Sequence, residues 1–266
     1  FDDCQKIVKE LFNDDNFRSK INMSGVNSIN WARIVCQIVY YFYSYFKLKK
    51  KNISFSVPTG NFGDIYAGYI AKKMGLPINK LIVATNENDI LERVIKTGEY
   101  KPEKVKPSIS PSMDIQVASN FERLLFYVVG QDDKKVSLLM EDLSKKGFFK
   151  LNQNEIQDIK KDFDAVRIDE ETTQLMIKNI NDEFKFIIDP HTATGIGAAR
   201  KIKGLENIVV IGTAHPFKFN DTVKKVTGKN LEAPPHLKMN IDKKEKFDII
   251  ENSNSKVKDY ILGKIL

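Results

Sequence analysis

From residue 31 the apolar positions fall at helical spacing. Trp31, Ile34, Val35, Ile38, Val39 and Phe42 recur three and four apart behind Ser28 and Asn30, either of which can cap the helix. The opposite side of this segment is apolar too, which predicts a helix buried all round. A polar turn, Lys49 to Asn52, separates it from Ile53, Phe55 and Val57, which alternate as a strand until Pro58 stops it. Glycines follow at once. Asp64 to Met74 then returns to helical spacing, closed by Gly75, and Lys80 to Thr85 is a second apolar strand. Strand, loop, helix and strand within about 33 residues predict a right-handed βαβ unit, and therefore a parallel sheet.

Further along, Asn88 to Lys96 reads as a short helix, and Gly98 to Pro111 holds three prolines with no apolar period, the pattern of a surface linker. Asp114 can cap a helix through Val129. The stretches Lys134 to Lys146, Asn154 to Val166 and Glu170 to Asn181 read as amphipathic, highly charged helices. Strand character returns at Phe186 to Ile188, a loop with Pro190 and Gly195 leads into a helix through Arg200, and Asn207 to Gly212 is another buried strand. From Lys238 the tail is polar and basic. Three segments result: 1–130 with the first strands and the glycine loop, 131–183 as a charged helical insertion, and 184–266 as a return to the sheet followed by the tail. There is no internal repeat.

The segment Pro58-Thr59-Gly60-Asn61-Phe62-Gly63-Asp64 lies between a predicted strand and a predicted helix. Glycines at 60 and 63 would let the backbone pass through positive φ and bring N–H groups toward an anion. The helix start adds unsatisfied donors and about half a positive charge. A phosphate suits such a loop, with a plain βα turn as the alternative. No Lys-Ser or Lys-Thr follows Gly63, and the GxGxxG spacing is missing, so it is neither a Walker loop nor a dinucleotide fingerprint. Asp64 favours the helix dipole but would repel a dianion if aimed inward.

Thr213, just past the strand Ile208 to Gly212, stands where open α/β sheets present ligand contacts, against the simpler role of a helix cap. His215, and His191 with Thr192 behind Asp189-Pro190, are weighed in the same way against structural roles. With three histidines and no HExxH motif, the chain offers no catalytic zinc site, and Cys36 on an apolar helix face reads as core.

Composition narrows the function classes. In 266 residues, 42% hydrophobic and 29% charged, disorder is excluded. Two cysteines, Cys4 and Cys36, permit one disulfide at most and suggest a reducing compartment, the cytoplasm. The net charge of +7 comes from lysines that alternate with acids and do not gather around aromatic residues, so no nucleic-acid surface is expected. No membrane span is expected either, since the longest apolar run, Ile34 to Phe46, is broken by Gln37 and Ser44. The opening Phe1-Asp2-Asp3 resembles neither a signal peptide nor a natural start, which suggests a piece of a longer protein.

Six blocks in order carry a resemblance: Asn27-Ser28-Ile29-Asn30-Trp31-Ala32-Arg33-Ile34; Pro58 to Asp64 with Ala67-Gly68; Ala84-Thr85-Asn86-Glu87-Asn88-Asp89; Ser119-Asn120-Phe121-Glu122-Arg123; Asp189-Pro190-His191-Thr192-Ala193; and Ala214-His215-Pro216-Phe217-Lys218-Phe219. Together they resemble the threonine synthases, pyridoxal-phosphate enzymes of fold type II, and their fungal and enterobacterial branch in particular. The resemblance implies an α/β fold with a parallel sheet, incomplete here and carrying the helical insertion. It implies that Gly60, Asn61, Phe62, Gly63 and Asp64 hold the 5′-phosphate of pyridoxal 5′-phosphate and that Thr213 sets its hydroxyl against the pyridine nitrogen. Asn27, Ser28, Asn30 and Arg33 would face substrate, with Arg33 the local cation for a second phosphate.

The implied reaction turns O-phospho-L-homoserine and water into L-threonine and phosphate, by γ-elimination and then β-hydration. The family's Schiff-base lysine and a serine-rich cofactor segment lie upstream of the first block. Lys185 and Lys218 do not stand in the family's Phe-Lys-Asp context. The chain is thus expected to be the carboxyl-terminal half of such an enzyme, without a catalytic residue of its own, inactive alone and partnered by the missing amino-terminal half. Two alternatives stand beside this: a non-catalytic phosphate- or partner-binding remnant of the fold, or another fold type II enzyme such as a dehydratase. The Asn-Phe-Gly-Asp loop and the Ala-His-Pro-Phe-Lys-Phe block weigh against the last.

Overall fold

The computed structural model describes residues 2–25, 27–241 and 243–265. Helices α1 (Asp2–Asn13) and α2 (Asp15–Ile21) open the chain and belong to a small unit made from its two ends; Asn27–Glu232 form a larger unit.

The larger unit begins with α3 (Trp31–Leu48), capped by the Asn30 side chain, which accepts from the Ala32 amide at 2.9 Å. It leads to β1 (Ile53–Pro58), helix α4 (Gly63–Lys73) and β2 (Ile78–Thr85). All six residues of β1 are buried, as befits a strand covered on both faces. β1 and β2 are parallel, with Val57 opposite Val83, and α4 is the crossover between them.

After α5 (Ile90–Thr97), the two-residue strand β3 (Glu99–Tyr100) and a long irregular stretch come α6 (Phe121–Val128), α7 (Asp133–Lys146), β4 (Phe149–Lys150), which pairs antiparallel with β3, and α8 (Gln153–Asp162). The helix expected over Asn154 to Val166 therefore stops at Asp162. Phe163–Arg167 instead form β5, parallel to β2, with Phe163 and Ala165 buried and Asp164 exposed. The stretch 131–183 thus supplies a sheet strand as well as helices. The helix expected from Asp114 is limited to α6 because the Asp114 carboxylate is taken up by side chains and amides of the preceding loop.

α9 (Glu170–Phe184) and α10 (Pro190–Lys201) precede β6 (Asn207–Val210), which pairs parallel with β1, and α11 (Asn220–Thr227) follows. Helix α10 takes in the Pro190 and Gly195 expected in a loop, and β6, as an edge strand, is half-buried rather than buried. The sheet order is β5-β2-β1-β6. The strand expected at Phe186 to Ile188 joins no ladder. Phe186 is exposed, and the segment leads into the Asp189 cap of α10.

One sheet face packs Phe55, Val57, Leu81 and Val83 against α4; on the other, Ile82 and Ala84 meet Ile168 and Ala198. α10 lies tight on the sheet there, because Ser56 Oγ donates to the Gly195 carbonyl at 2.7 Å.

The small unit joins α1 and α2 to α12 (Pro235–Ile241) and α13 (Asn254–Ile265) at the chain ends. Asp14 caps α2 through the Phe17 amide at 3.0 Å and pairs with Lys258 of α13, beside the buried Leu11 and Phe17. Among the described residues, no helix is long and apolar enough to cross a membrane.

Helix α3 departs from its expected burial. Ile34, Ile38 and Tyr41 are buried, but Val39 is 61% exposed and Tyr43 and Phe46 are each 65% exposed, so one side packs on α4 and the other is an open apolar stripe. Cys36 is likewise exposed rather than core, and both cysteines are free thiols. Helical period reports spacing; it does not say what covers each side.

The packed side of α3 centres on Tyr41, which lies across Gly68 of α4 and against Phe55, at 4.8 Å between ring centroids. Its hydroxyl donates to the Asp64 carboxylate at 2.9 Å. A Cβ on Gly68 would stand 2.5 Å from the Tyr41 ring, so Gly68→Ala should destabilise the protein by about 2–3 kcal/mol in urea unfolding. Burial raises the Asp64 carboxyl from its ordinary 3.8 to about 6, with the Tyr41 hydroxyl pulling the other way. The folded state then binds more protons than the unfolded one between those values, and its stability falls as pH rises through that window. Asp64→Asn keeps an acceptor for Tyr41 without the charge. Its stability relative to the parent should rise by about 1–2 kcal/mol between pH 4.5 and 7.5, and equal differences at both pH values would contradict a buried charge here.

Candidate active site

The loop after β1 is held so that its amides gather at the start of α4. Thr59 donates its amide to the Ala84 carbonyl at 2.8 Å and its hydroxyl to the Val57 carbonyl at 2.6 Å, which continues the β1–β2 pairing one residue past the strand. The chain then turns, and the left-handed residue is Phe62 (φ 63°), not either glycine. That corrects the expectation of positive φ at Gly60 and Gly63. A non-glycine residue there costs about 1–2 kcal/mol. Phe62 offsets it by complete burial of its ring, 5.3 Å from Phe121 and 5.6 Å from Phe163 between centroids.

Gly60 is required for a different reason. A Cβ there would lie 2.6 Å from the Ser112 carbonyl oxygen and 3.0 Å from the Ile115 methyl. At Gly63 the nearest atom to a Cβ would be Asn120 Nδ2 at an ordinary 3.4 Å. The amides of Phe62, Gly63 and Asp64 reach no acceptor among the described residues, as expected for the first turn of a helix. Three free donors and the positive end of α4 converge at the carboxyl edge of the sheet, which suits an anion. The Asp64 carboxylate accepts from Tyr41 at the α3–α4 contact, so the anticipated repulsion is met by an inward hydrogen bond.

Two straps hold the loop. Asn120 is fully buried, and its Nδ2 donates to the Asn61 carbonyl at 3.1 Å and to the Ser28 carbonyl at 3.0 Å. Asn61 Nδ2 in turn donates to Ser28 Oγ at 3.0 Å. Arg123 extends the strap, donating to Asn120 Oδ1 at 3.0 Å and to the Ile29 carbonyl at 2.9 Å, near the Trp31 ring. The second strap is the irregular stretch around residues 106–116. Asn86 and Asn88, at the end of β2, donate to Asp114 Oδ1 at 2.8 and 3.1 Å, and Asp114 also accepts from the Ser108 amide and hydroxyl. This network fixes the Pro111–Met113 turn that presses on Gly60.

The anticipated site residues separate accordingly. Gly60 to Asp64 come together in the loop at the start of α4, and Ser28 touches that loop through Asn61. Asn27 and Asn30 serve local turns: Asn27 Oδ1 accepts from the Ile29 amide, and Asn30 caps α3. Arg33 is exposed in the first turn of α3. Thr213 is exposed just beyond β6, on the strand next to β1 and at the same sheet edge, because Ile211 donates to the Ser56 carbonyl. His215 accepts from the Phe217 amide at 3.2 Å, a structural cap. Arg123, Asn120 and Asp114 were not singled out by the sequence. The distant partners that place them lie 26 to 94 residues away in the chain, and only Asn120 and Arg123 fall within a resemblance block. Among the described residues no group of His, Cys, Asp or Glu is arranged to hold a metal ion.

This geometry has counterparts in known proteins. The family described as "Threonine synthase, C-terminal" matches residues 192–261. A threonine synthase of Pseudomonas aeruginosa is 42% identical over 266 aligned residues, covering 98% of this chain and 57% of that protein. That of Saccharomyces cerevisiae is 46% identical, covering 84% of this chain and 48% of its own. The crystal structure of a PLP-bound threonine synthase from Brucella melitensis superposes with a TM-score of 0.88 at 45% identity, over 98% of this chain and 57% of that one. The chain therefore spans about half the length of the relatives it matches, and its sheet is that of the fold type II enzymes. Matched at this level along nearly all of its length, the chain belongs to the threonine synthase family and corresponds to the carboxyl-terminal part of its members.

Proposed function

We propose that this chain supplies the phosphate cradle of a pyridoxal 5′-phosphate site and, completed by an amino-terminal part like that of its relatives, converts O-phospho-L-homoserine and water into L-threonine and phosphate. The observation that carries the reading is the set of unaccepted amides at Phe62, Gly63 and Asp64, in a loop too tight at Gly60 for any side chain. Donors fixed before the ligand arrives hold a phosphate without reorganisation. Thr213 would offer a neutral hydroxyl to the ring nitrogen from the neighbouring strand end. Ser28, tied to Asn61, would carry the substrate side of the site with Asn27, Asn30 and Arg33, and Arg33 would meet the substrate's phosphate.

When bound, pyridoxal phosphate acts as an electron sink that acidifies the substrate carbons beside the amine. Overall the Cγ–O bond to phosphate breaks and the hydroxyl of water ends on Cβ. The protons would be moved by a lysine on the amino-terminal part, so this chain alone would turn over nothing. That part would also cover the open apolar stripe of α3, since a patch of this kind usually marks a contact surface. A cytoplasmic setting accords with two free thiols.

The test is phosphate release from O-phosphohomoserine by this chain alone and by the same chain fused behind the amino-terminal part of the Pseudomonas aeruginosa relative. Release is expected from the fusion only. A folded fusion that binds no pyridoxal phosphate and releases none would overturn the reading, and a fusion that binds it but stays inactive would favour a non-catalytic remnant. In the fusion, Gly60→Val should weaken pyridoxal phosphate binding more than tenfold and Gly63→Ala less than threefold, read by calorimetric titration. Thr213→Val should cut turnover at least tenfold; undiminished turnover would take Thr213 out of the site.

A further inference from the structure

The strap that presses on Gly60 is held from its far side by a buried histidine to which the proposed reaction gives no role. His191, in the first turn of α10, is 2% exposed and Asp189 1%. Asp189 accepts from the amides of His191 and Thr192, at 2.8 and 3.3 Å, and from the Thr192 hydroxyl. Burial raises the Asp189 carboxyl, but the hydrogen bonds from His191 and Thr192 outweigh it and hold the carboxyl below its ordinary value, so it is ionised and only accepts. His191 Nδ1, 3.0 Å from Asp189 Oδ1, must then carry a proton and donate it. On the other edge of the ring, Nε2 lies 3.2 Å from the Ser112 amide nitrogen. An amide N–H can only donate, so Nε2 is bare and accepts. The two neighbours fix one neutral tautomer.

Ser112 is the residue whose carbonyl blocks a side chain at Gly60. The same ring stands 4.8 Å from Phe219, at the end of the block that follows Thr213. One imidazole therefore touches the strap beneath the anion cradle and the segment beyond the neighbouring strand.

We propose that His191 is a positioning residue for the phosphate loop: as a neutral acceptor oriented by Asp189, it holds the backbone of Ser112, and with it the carbonyl that presses on Gly60, and so fixes the direction of the amides at Phe62, Gly63 and Asp64. This rests on the reading of that loop as a phosphate site. It assigns to the Asp-Pro-His-Thr segment, which the cofactor and substrate contacts leave unused, the task of supporting them from behind.

The experiment uses this chain, with pyridoxal 5′-phosphate as the probe and binding measured by calorimetric titration. His191→Gln retains an acceptor for the Ser112 amide, whereas His191→Phe retains the ring volume without one. Binding within threefold of the parent for the first and at least tenfold weaker for the second is expected. A ring that only fills space would give the opposite order, and equal binding by the phenylalanine variant would overturn the proposal. His191→Leu repeats that arm if the phenylalanine variant does not fold. In the parent protein, nitrogen-15 spectra should show His191 with Nδ1 protonated, Nε2 unprotonated, and a scalar coupling across the hydrogen bond between Nε2 and the Ser112 amide nitrogen. Absence of that coupling would overturn the proposal whatever the variants do. A parent chain that shows the coupling but binds no pyridoxal phosphate would instead refute the phosphate site itself.

Discussion

The peptide of Gly60 runs so close to the Ser112 carbonyl that no side chain fits between them, and the arrangement of the site follows from that contact. With the loop pressed from one side by the Pro111–Met113 turn, and from the other by Asn120 against the Asn61 carbonyl, the chain has one path into α4. The path places a phenylalanine in the left-handed region, a conformation retained because the ring is sealed between Phe121 and Phe163. Backbone donors that end up unpaired at a helix start are the product of this packing. They are costly to leave without a partner, which is why such a cradle pairs naturally with an anion.

The supports of the cradle are polar and come from distant parts of the chain. Asn86 and Asn88 sit where β2 ends, Asp114 in the irregular stretch and Asn120 just before α6; each is satisfied by several neighbours. A buried network of this kind is rigid when complete and costly when broken, because every orphaned group keeps its desolvation penalty. The apolar layers beneath it, α10 on one sheet face and α4 on the other, hold the strand ends that carry it. Fold and site are therefore coupled through the carboxyl edge of the sheet, where β1, β2 and β6 all end.

Periodicity made β1, α4 and β2 legible, since their apolar residues repeat over several turns or along a whole strand. Of α10 only the second half was legible, because Pro190 and Gly195 read as loop, although proline suits a helix's first position and Gly195 lets the helix close on the sheet. It missed β5, because the alternation Phe163, Asp164, Ala165 is short and continues the apolar spacing of α8. It also gave α3 a covered outer side, for a row of Val39, Tyr43 and Phe46 looks the same whether or not something packs on it. In the loop, composition singled out Gly60 for a positive φ that it does not have. The glycine answers a neighbour 52 positions away, and the unusual φ belongs to Phe62. The straps were hidden for the same reason: Asp114 read as a helix cap because nothing local shows that Asn86 and Ser108 claim its oxygens first.

The central claim is that the amides at the start of α4 are an anion site built into this chain. An amide-resolved nitrogen-15 spectrum of the protein, recorded while pyridoxal 5′-phosphate is added, tests it most directly. The account predicts saturable shifts that are largest at Phe62, Gly63 and Asp64 and fade along α4. Shifts centred elsewhere, or none at millimolar concentrations of the added phosphate ester, would contradict it.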